Sequence, residues 1–246
     1  MKKLIIAFLM AAAPVLGLAS GGGAHLDDAD IDLSDQASLQ RGAKYFVNYC
    51  LSCHSAKYQR YNRMAKDLGL TEEEVKKNLM FTTDKIGDGM DIAMPADQAG
   101  EWFGTAPPDL SVIARARGVD WIYTYLRSFY LDDSRPFGVN NIVFPDVGMP
   151  HVLWELQGAQ KAVHKTEKDS AGNDVEVFDH FEQVTPGSLS PEQYTEVARD
   201  LTAFLSYVGE PIQMERQRLG KWVLLFLAVF FVLAYLLKKE YWKDVH

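Results

Sequence analysis

The stretch RGAKYFVNYCLSCHS, residues 41–55, decides how this chain must be built. It contains both cysteines of the 246-residue sequence, Cys50 and Cys53, and His54 follows them directly. Cys-x-x-Cys-His is the attachment pattern of a c-type haem. The two thiols must reach the two vinyl groups along one edge of the porphyrin while the next side chain turns under the iron. The sequence therefore predicts one covalently bound haem c, held by Cys50 and Cys53 and ligated by His54.

Two other uses of a Cys-x-x-Cys pair fit this sequence less well. A thioredoxin-like redox pair lies at a strand-to-helix turn, whereas this motif follows an amphipathic helical pattern. A structural zinc site needs four ligands, and the chain has no second cysteine pair. The apolar face of the preceding helix consists of Leu39, Ala43, Phe46, Val47 and Cys50.

The second axial position of the iron decides between electron transfer and ligand chemistry. A methionine there raises the reduction potential, and an open or polar side favours ligand binding. Two candidates stand out because each lies in a loop and precedes a proline: Met94 and Met149. Met94 is surrounded by aspartates and Met149 by apolar residues, but the residues alone leave both open. The remaining candidates are Met64, Met80 and Met90, and we expect His25, His151, His164, His180 and His246 to be solvated.

The first nineteen residues have the pattern of a secretory signal peptide. Lys2 and Lys3 precede an apolar run, and Gly17-Leu18-Ala19 supplies small residues at a cleavage point. Such a signal predicts that residues 20–210 form a haem domain on the periplasmic side of a bacterial inner membrane. An uncleaved N-terminal anchor is the alternative.

A membrane anchor is predicted near the other end of the chain. Trp222 to Leu237 carries no charge over 16 residues, which corresponds to about 24 Å of helix. With Leu219 included and the flanking lysines extended toward water, a span over about 219–237 crosses a bilayer. We therefore assign residues 211–246 to the anchor and a short cytoplasmic tail.

The pattern of the exported domain is mainly α, with no convincing alternation typical of sheet. Residues 20–37 are acidic and glycine-rich and predict a loosely structured lead-in. Further elements are predicted in chain order. First come a helix near 72–80 with Thr71 and Glu74 as capping box, a turn at Pro107-Pro108 with Asp109 as N-cap, and a helix from Asp120 to about Tyr130. Irregular loop over 132–150, a surface hairpin within 160–185 and a helix from Ser190 to Gly209, with Ser190 and Gln193 as capping box and Pro191 at its first position, follow.

Four segments in the same order resemble the cytochrome c1 family, the haem subunit of ubiquinol–cytochrome c oxidoreductase. They are residues 41–55, then APPDLSVIARARG, FPDVGMPHVLWELQG and VARDLTAFLSYVGEP, followed by the membrane span. The resemblance covers most of the mature chain. It implies a class I cytochrome c fold enlarged by insertions. It also implies that Met149, in the loop Gly148-Met149-Pro150, is the second iron ligand, with Met94 as a secondary candidate.

The resemblance further implies a basic residue beside a haem propionate, after the Pro-Pro-Asp turn. If a helix runs from Asp109, Arg117 shares a face with Leu110 and Ile113, whereas Arg115 points elsewhere. Arg117 is therefore the expected cofactor-binding residue. A solvated arginine that completes the helix dipole is the alternative.

The function implied is that of a membrane-anchored electron carrier beside a cytochrome b subunit. It would take an electron from a Rieske iron–sulfur protein and pass it to a soluble cytochrome c, with no catalysis by this chain alone. The rival from another class is a haem enzyme or gas sensor with an open sixth position. No nucleic-acid partner is expected.

Charge adds an expectation about the electron acceptor. Residues 20–210 contain 17 Lys and Arg and 30 Asp and Glu, a net charge of 17 − 30 = −13. Such an excess is typical of a surface that attracts a basic partner. Solubility alone is the other explanation.

Covalent attachment can be tested directly. Cys50→Ala and Cys53→Ala should each weaken haem staining on a denaturing gel, and the double variant should abolish it, because thioether bonds survive denaturation. Undiminished staining in the double variant would show that the motif does not hold the cofactor.

Overall fold

The structure is a computed structural model that describes residues 25–168 and 172–244. The predicted signal peptide, residues 1–19, and His246 lie outside the described residues.

The described chain is mainly helical, which confirms the predicted class, and it also contains three antiparallel strand pairs. In chain order the elements are α1 (Gln36–Tyr45), one π-helical turn (Phe46–Cys50), β1 (Ala56–Arg60), α2 (Tyr61–Asp67), α3 (Glu72–Asn78), β2 (Gly89–Met90), α4 (Ala96–Phe103), α5 (Ile113–Arg117), α6 (Val119–Arg127), β3 (Phe129–Leu131), β4 (Val139–Asn141), α7 (Trp154–Gln157), β5 (Gly158–Lys168), β6 (Asp174–Pro186), α8 (Pro191–Gly209) and α9 (Gln213–Tyr241).

The crossing of α1 and α8 forms the centre of the core. Gly42 lets the helices meet, because a Cβ there would lie 2.1 Å from the carbonyl oxygen of Asp200. One turn further on, the rings of Phe46 and Phe204 pack 5.5 Å apart. Asp200 is only 4% exposed and accepts hydrogen bonds from Arg41 and Ser38, so its buried charge is paired. This crossing holds the helix that leads into the Cys-x-x-Cys-His motif.

Both predicted capping boxes are confirmed. Thr71 and Glu74 exchange hydrogen bonds at the start of α3. Ser190 and Gln193 do the same at the start of α8, where Pro191 occupies the first turn. These side chains satisfy backbone amides that have no partner within the helix.

The lead-in is held firmly where the structure describes it, so the expectation of a loose segment is wrong from residue 25 onward. The amide of Asp27 donates to Thr124 Oγ1 at 2.9 Å, and that of Ala29 donates to Asp120 Oδ1 at 3.0 Å. Ala29 is fully buried, and Arg127 forms an ion pair with Asp27. The acidic composition suggested solvent exposure, but long-range hydrogen bonds to α6 decide the outcome.

The strands were only partly predicted. The hairpin expected within 160–185 is confirmed and is longer, since β5 and β6 pair from Gly158↔Pro186 to Lys168↔Asp174. The helix expected to reach about Tyr130 ends instead at Arg127, because β3 pairs with β4 inside the segment expected to be irregular.

Helix α9 is long and apolar enough to cross a membrane, and it contains the whole predicted span of 219–237. Its most apolar window has a mean hydropathy of 2.3, and none of that window is buried within the described chain. Its 29 residues extend over roughly 44 Å, more than the hydrocarbon thickness of a bilayer.

Candidate haem site

The backbone of the Cys-x-x-Cys-His motif forms one compact turn. At the end of α1 the helix widens, and the amide of Leu51 donates to the carbonyl of Phe46 at 2.9 Å. The amides of Cys53 and His54 both donate to the carbonyl of Cys50, at 3.0 and 2.8 Å. The two cysteines and the histidine are thus presented by a single hydrogen-bonded turn at the end of the core helix.

The imidazole of His54 is oriented by a distant carbonyl. Its Nδ1 lies 2.8 Å from the carbonyl oxygen of Pro108, 54 residues further along the chain. Because a carbonyl can only accept, Nδ1 carries the proton and Nε2 presents a lone pair. Burial lowers the pKa of His54 more than Pro108 and the charge of Asp109 raise it. The neutral, oriented form is the one that ligates a metal.

Asp109 secures the turn that presents the Pro108 carbonyl. It was expected to cap a helix, but α5 begins only at Ile113, after Val112. The Asp109 carboxylate instead accepts from the amide of Ser111 at 2.8 Å, the amide of Lys57 at 3.1 Å and the hydroxyl of Ser55 at 2.8 Å. Burial alone would raise the pKa of Asp109, but the side chain and amide of Ser111, the amide of Lys57 and the hydroxyl of Ser55 together lower it.

Cys50 is poorly suited to thiol chemistry. Both cysteines are half-buried, and burial, with a smaller effect of Cys53, raises the pKa of the Cys50 thiol to about 12. A redox-active or metal-binding cysteine needs a stabilised thiolate. Among residues 25–168 and 172–244, no three His, Cys, Asp or Glu side chains are grouped to hold a metal ion.

Burial separates the candidate methionines. Met64, Met80 and Met90 lie in the hydrophobic core. Met94 and Met149 are half-buried in loops. The sulfur of Met149 accepts a hydrogen bond from the hydroxyl of Tyr125 at 3.3 Å.

The Met149 loop lies beside the turn that contains Pro108. A Cβ built on Gly148 would be 3.8 Å from the methyl group of Thr105, three residues before Pro108. The Met149 loop and the turn that orients His54 are therefore neighbours.

An aromatic cluster surrounds Tyr125. Its ring stacks on Trp121 at 4.9 Å and meets Phe129 edge-on at 5.1 Å. Phe129 in turn stacks on His151 at 4.9 Å. His151 was expected to be solvated, and that expectation is wrong: burial, opposed by Gln157, lowers its pKa to about 4. Burial likewise raises the pKa of Tyr125, so both groups are uncharged at neutral pH.

The two arginines of α5 point to different surroundings. The guanidinium of Arg117 lies 5.1 Å from the ring centre of Trp121 and 5.7 Å from that of Phe144. The side chain of Arg115 instead packs beside Gly209 of α8. Within the described chain Arg117 forms no ion pair with a carboxylate, and the two rings hold its charge at the surface by cation–π attraction.

The donor set fits a c-type haem. A neutral, carbonyl-bound imidazole follows two cysteines in one turn, and Met149 and Arg117 belong to one connected group with Trp121 and Tyr125. Sequence reasoning missed the carbonyl of Pro108, Trp121 and Tyr125. The i, i+4 spacing of Trp121 and Tyr125 in α6 was the available signal.

A cavity of about 600 Å³ lies beneath the β5–β6 hairpin, and none of the predicted site residues lines it.

Motif, donor set and anchor helix together define a c-type cytochrome with a membrane anchor. The model of the "Cytochrome C1 family" matches residues 29–245. The chain is 57% identical, over the full length of both proteins, to "Cytochrome c1" of Allochromatium vinosum. It is 48% identical to "Ammonia monooxygenase gamma subunit" of Nitrosomonas europaea, over 100% of this chain and 98% of the other. It is 29% identical to "Cytochrome b/c1" of Bradyrhizobium diazoefficiens, over 86% of this chain and 34% of the other.

The chain therefore belongs to the cytochrome c1 family. As a member it is a c-type cytochrome with an electron-transfer role in the cytochrome bc1 complex. It is a membrane-anchored subunit, and α9 provides the apolar helix that anchors it.

The turn at Asp109 yields a stability prediction. Asp109→Asn places a side-chain NH2 group where a carboxylate oxygen accepts hydrogen bonds, and it should lower the free energy of unfolding by roughly 0.5–1 kcal/mol, because solvent screens this exposed carboxylate. Since the folded pKa of Asp109 is lowered, its contribution is present above about pH 4 and is lost as the pH falls through the folded value. Chemical denaturation at several pH values would measure this. Asp133→Asn, at an exposed carboxylate, is the matched control; equal effects of both variants at pH 7 would contradict the role of the turn.

Proposed function

We propose that this chain carries one covalently bound haem c, takes an electron from a Rieske iron–sulfur protein and passes it to a soluble cytochrome c. The haem domain lies on the periplasmic side of a bacterial inner membrane. When bound, the haem supplies one-electron redox chemistry. The chain's own residues hold it, set its environment and exclude water.

The observation that carries this proposal is the hydrogen bond between His54 Nδ1 and the carbonyl of Pro108. It fixes the tautomer and leaves Nε2 available to ligate iron directly after the two cysteines that would form the thioethers. Hydrogen bonding of the second ring nitrogen to a carbonyl is the usual arrangement of a metal-bound histidine.

Met149 is proposed as the second ligand and Met94 is the weaker alternative. Met149 lies in a loop beside the Pro108 turn, and its sulfur contacts the hydroxyl of the half-buried Tyr125, which belongs to the aromatic cluster of α6. Met94 lies just before α4, among exposed aspartates. A methionine sulfur favours the reduced state of the iron and suits electron transfer.

Arg117 is proposed to bind a haem propionate. Its guanidinium is held by two aromatic rings, and its charge is available to an anion. Trp121 contacts both Arg117 and Tyr125, and Tyr125 contacts Met149. Arg117 is therefore linked to Met149 through two aromatic rings.

The proposed partners follow from the family and the anchor. Helix α9 would lie beside a cytochrome b subunit, and the relative named "Cytochrome b/c1", of which this chain matches 34%, supports that neighbour. The signal-like residues 1–19 support export of the haem domain, with the short tail after α9 in the cytoplasm.

The methionine assignment separates the proposal from its rival, a haem enzyme or gas sensor with an open sixth position. Met149→Leu should remove the methionine-to-iron charge-transfer band, lower the potential by on the order of a tenth of a volt or more and permit carbon monoxide binding. Met94→Leu is the matched control and should do none of these. Carbon monoxide binding by the unaltered protein would favour the rival, and loss of the band in Met94→Leu alone would transfer the ligand to Met94.

The charge of residues 20–210, 17 − 30 = −13, leads to a kinetic prediction. The rate of electron transfer to a basic cytochrome c should fall at least about tenfold between roughly 10 mM and 150 mM ionic strength, because salt screens the attraction. Stopped-flow measurement would show this, with an uncharged small oxidant as control. A rate to the basic cytochrome that ignores salt would leave the acidic surface without a role in docking.

A further inference from the structure

We propose that Tyr125 is a positioning residue for the cofactor, whose hydroxyl hydrogen-bonds to the sulfur of Met149 and thereby raises the reduction potential. This inference rests on the proposed ligation by Met149 and adds a residue that neither the motif nor the family resemblance named.

The contact itself is the first piece of evidence. The hydroxyl of Tyr125 donates to Met149 Sδ at 3.3 Å, within the range of a hydrogen bond to sulfur. A thioether sulfur has two lone pairs. One can be directed at a metal while the other accepts the hydroxyl proton, so the hydrogen bond and ligation are compatible.

Tyr125 is held so that its hydroxyl has little freedom to turn away. Its ring lies between Trp121, stacked at 4.9 Å, and Phe129, edge-on at 5.1 Å. Both neighbours come from the same stretch of chain, α6 and the first residue of β3. The phenol therefore occupies one position in a packed aromatic cluster.

A second set of hydrogen bonds ties the methionine loop to the same part of α6. Asn141 is 1% exposed, and its side-chain amide donates to the carbonyl of Tyr125 at 2.9 Å. Its side-chain oxygen accepts from the amides of Val143 and Phe144, at 3.0 and 3.2 Å. Asn141, at the start of the loop that leads to Met149, is thus hydrogen-bonded to Tyr125, the residue whose hydroxyl contacts the sulfur.

The effect on the potential follows from the electron density at sulfur. A hydroxyl proton on one lone pair withdraws density and makes the sulfur a weaker donor, which disfavours the oxidised iron more than the reduced iron. Hydrogen bonds to axial ligands are a recognised means by which a protein tunes a haem. Removing the hydroxyl should therefore lower the potential without removing the ligand.

The test uses the full-length, detergent-solubilised haem protein and compares Tyr125→Phe with Tyr123→Phe. Tyr125→Phe removes one oxygen atom and keeps the ring that packs on Trp121 and Phe129. Tyr123 is buried on the same helix, and its ring lies against Arg127, so Tyr123→Phe is the matched control. Redox titration and the charge-transfer band of the oxidised protein are the readouts, and Tyr123→Phe shows how far the loss of a tyrosine hydroxyl from the same helix changes them without a contact to Met149.

We expect Tyr125→Phe to lower the potential and shift the charge-transfer band while the band persists, and Tyr123→Phe to change neither. If the band is lost in Met149→Leu but Tyr125→Phe leaves the potential and band unchanged, the inference is wrong and the ligation stands. If Met149→Leu keeps the band, Met149 is not the ligand, and both the ligation and the inference are overturned. Equal shifts in the two tyrosine variants would also overturn it.

Discussion

The hydrogen bond from His54 Nδ1 to the carbonyl of Pro108 is the contact on which the site depends. It joins the motif at the end of α1 to a turn 54 residues away, and it leaves Nε2 as the nitrogen free to ligate the proposed haem iron. Further hydrogen bonds stabilise the turn that carries this carbonyl, because the Asp109 carboxylate accepts from Ser55, Lys57 and Ser111. A histidine ligand needs such support, because a free imidazole could present either nitrogen.

The two halves of the site are braced from the same core. Helix α1 is fixed by its crossing with α8, where Gly42 allows backbone contact and Asp200 pairs with Arg41. Helix α6 packs on α8 as well, and the buried hydroxyl of Tyr194 in α8 donates to the carbonyl of Leu126 at 2.6 Å. The helix that leads into the Cys-x-x-Cys-His motif and the helix that contains the aromatic cluster therefore both pack on α8. This shared contact fixes their position relative to each other.

Local patterns predicted helices α1, α3, α6 and α8, the capping boxes, the hairpin and the anchor helix α9, because each depends on neighbouring residues; α2, α4 and α7 were not predicted. The errors came from contacts between residues far apart in the chain. Asp109 is a residue type that favours the N-cap position, yet its carboxylate accepts hydrogen bonds from Ser55 and Lys57. His151 follows a loop proline and suggested solvent exposure, but stacking on Phe129 buries it. Tyr125 carried no motif at all, and only the folded chain brings it to Met149.

The groups beside the proposed iron ligands and the acidic residues of the surface have different electrostatic effects. Burial keeps His54 and His151, near the proposed iron ligands, neutral and Tyr125 protonated. Two charged groups lie nearby: the Asp109 carboxylate is hydrogen-bonded within its own turn, and Arg117 is held by rings instead of a carboxylate, which leaves its charge for an anion. The acidic excess of residues 20–210, 17 − 30 = −13, thus acts mainly through solvent, where salt screens it. The proposed attraction of a basic partner would therefore change with ionic strength, while the groups around the proposed iron ligands would keep their charge states.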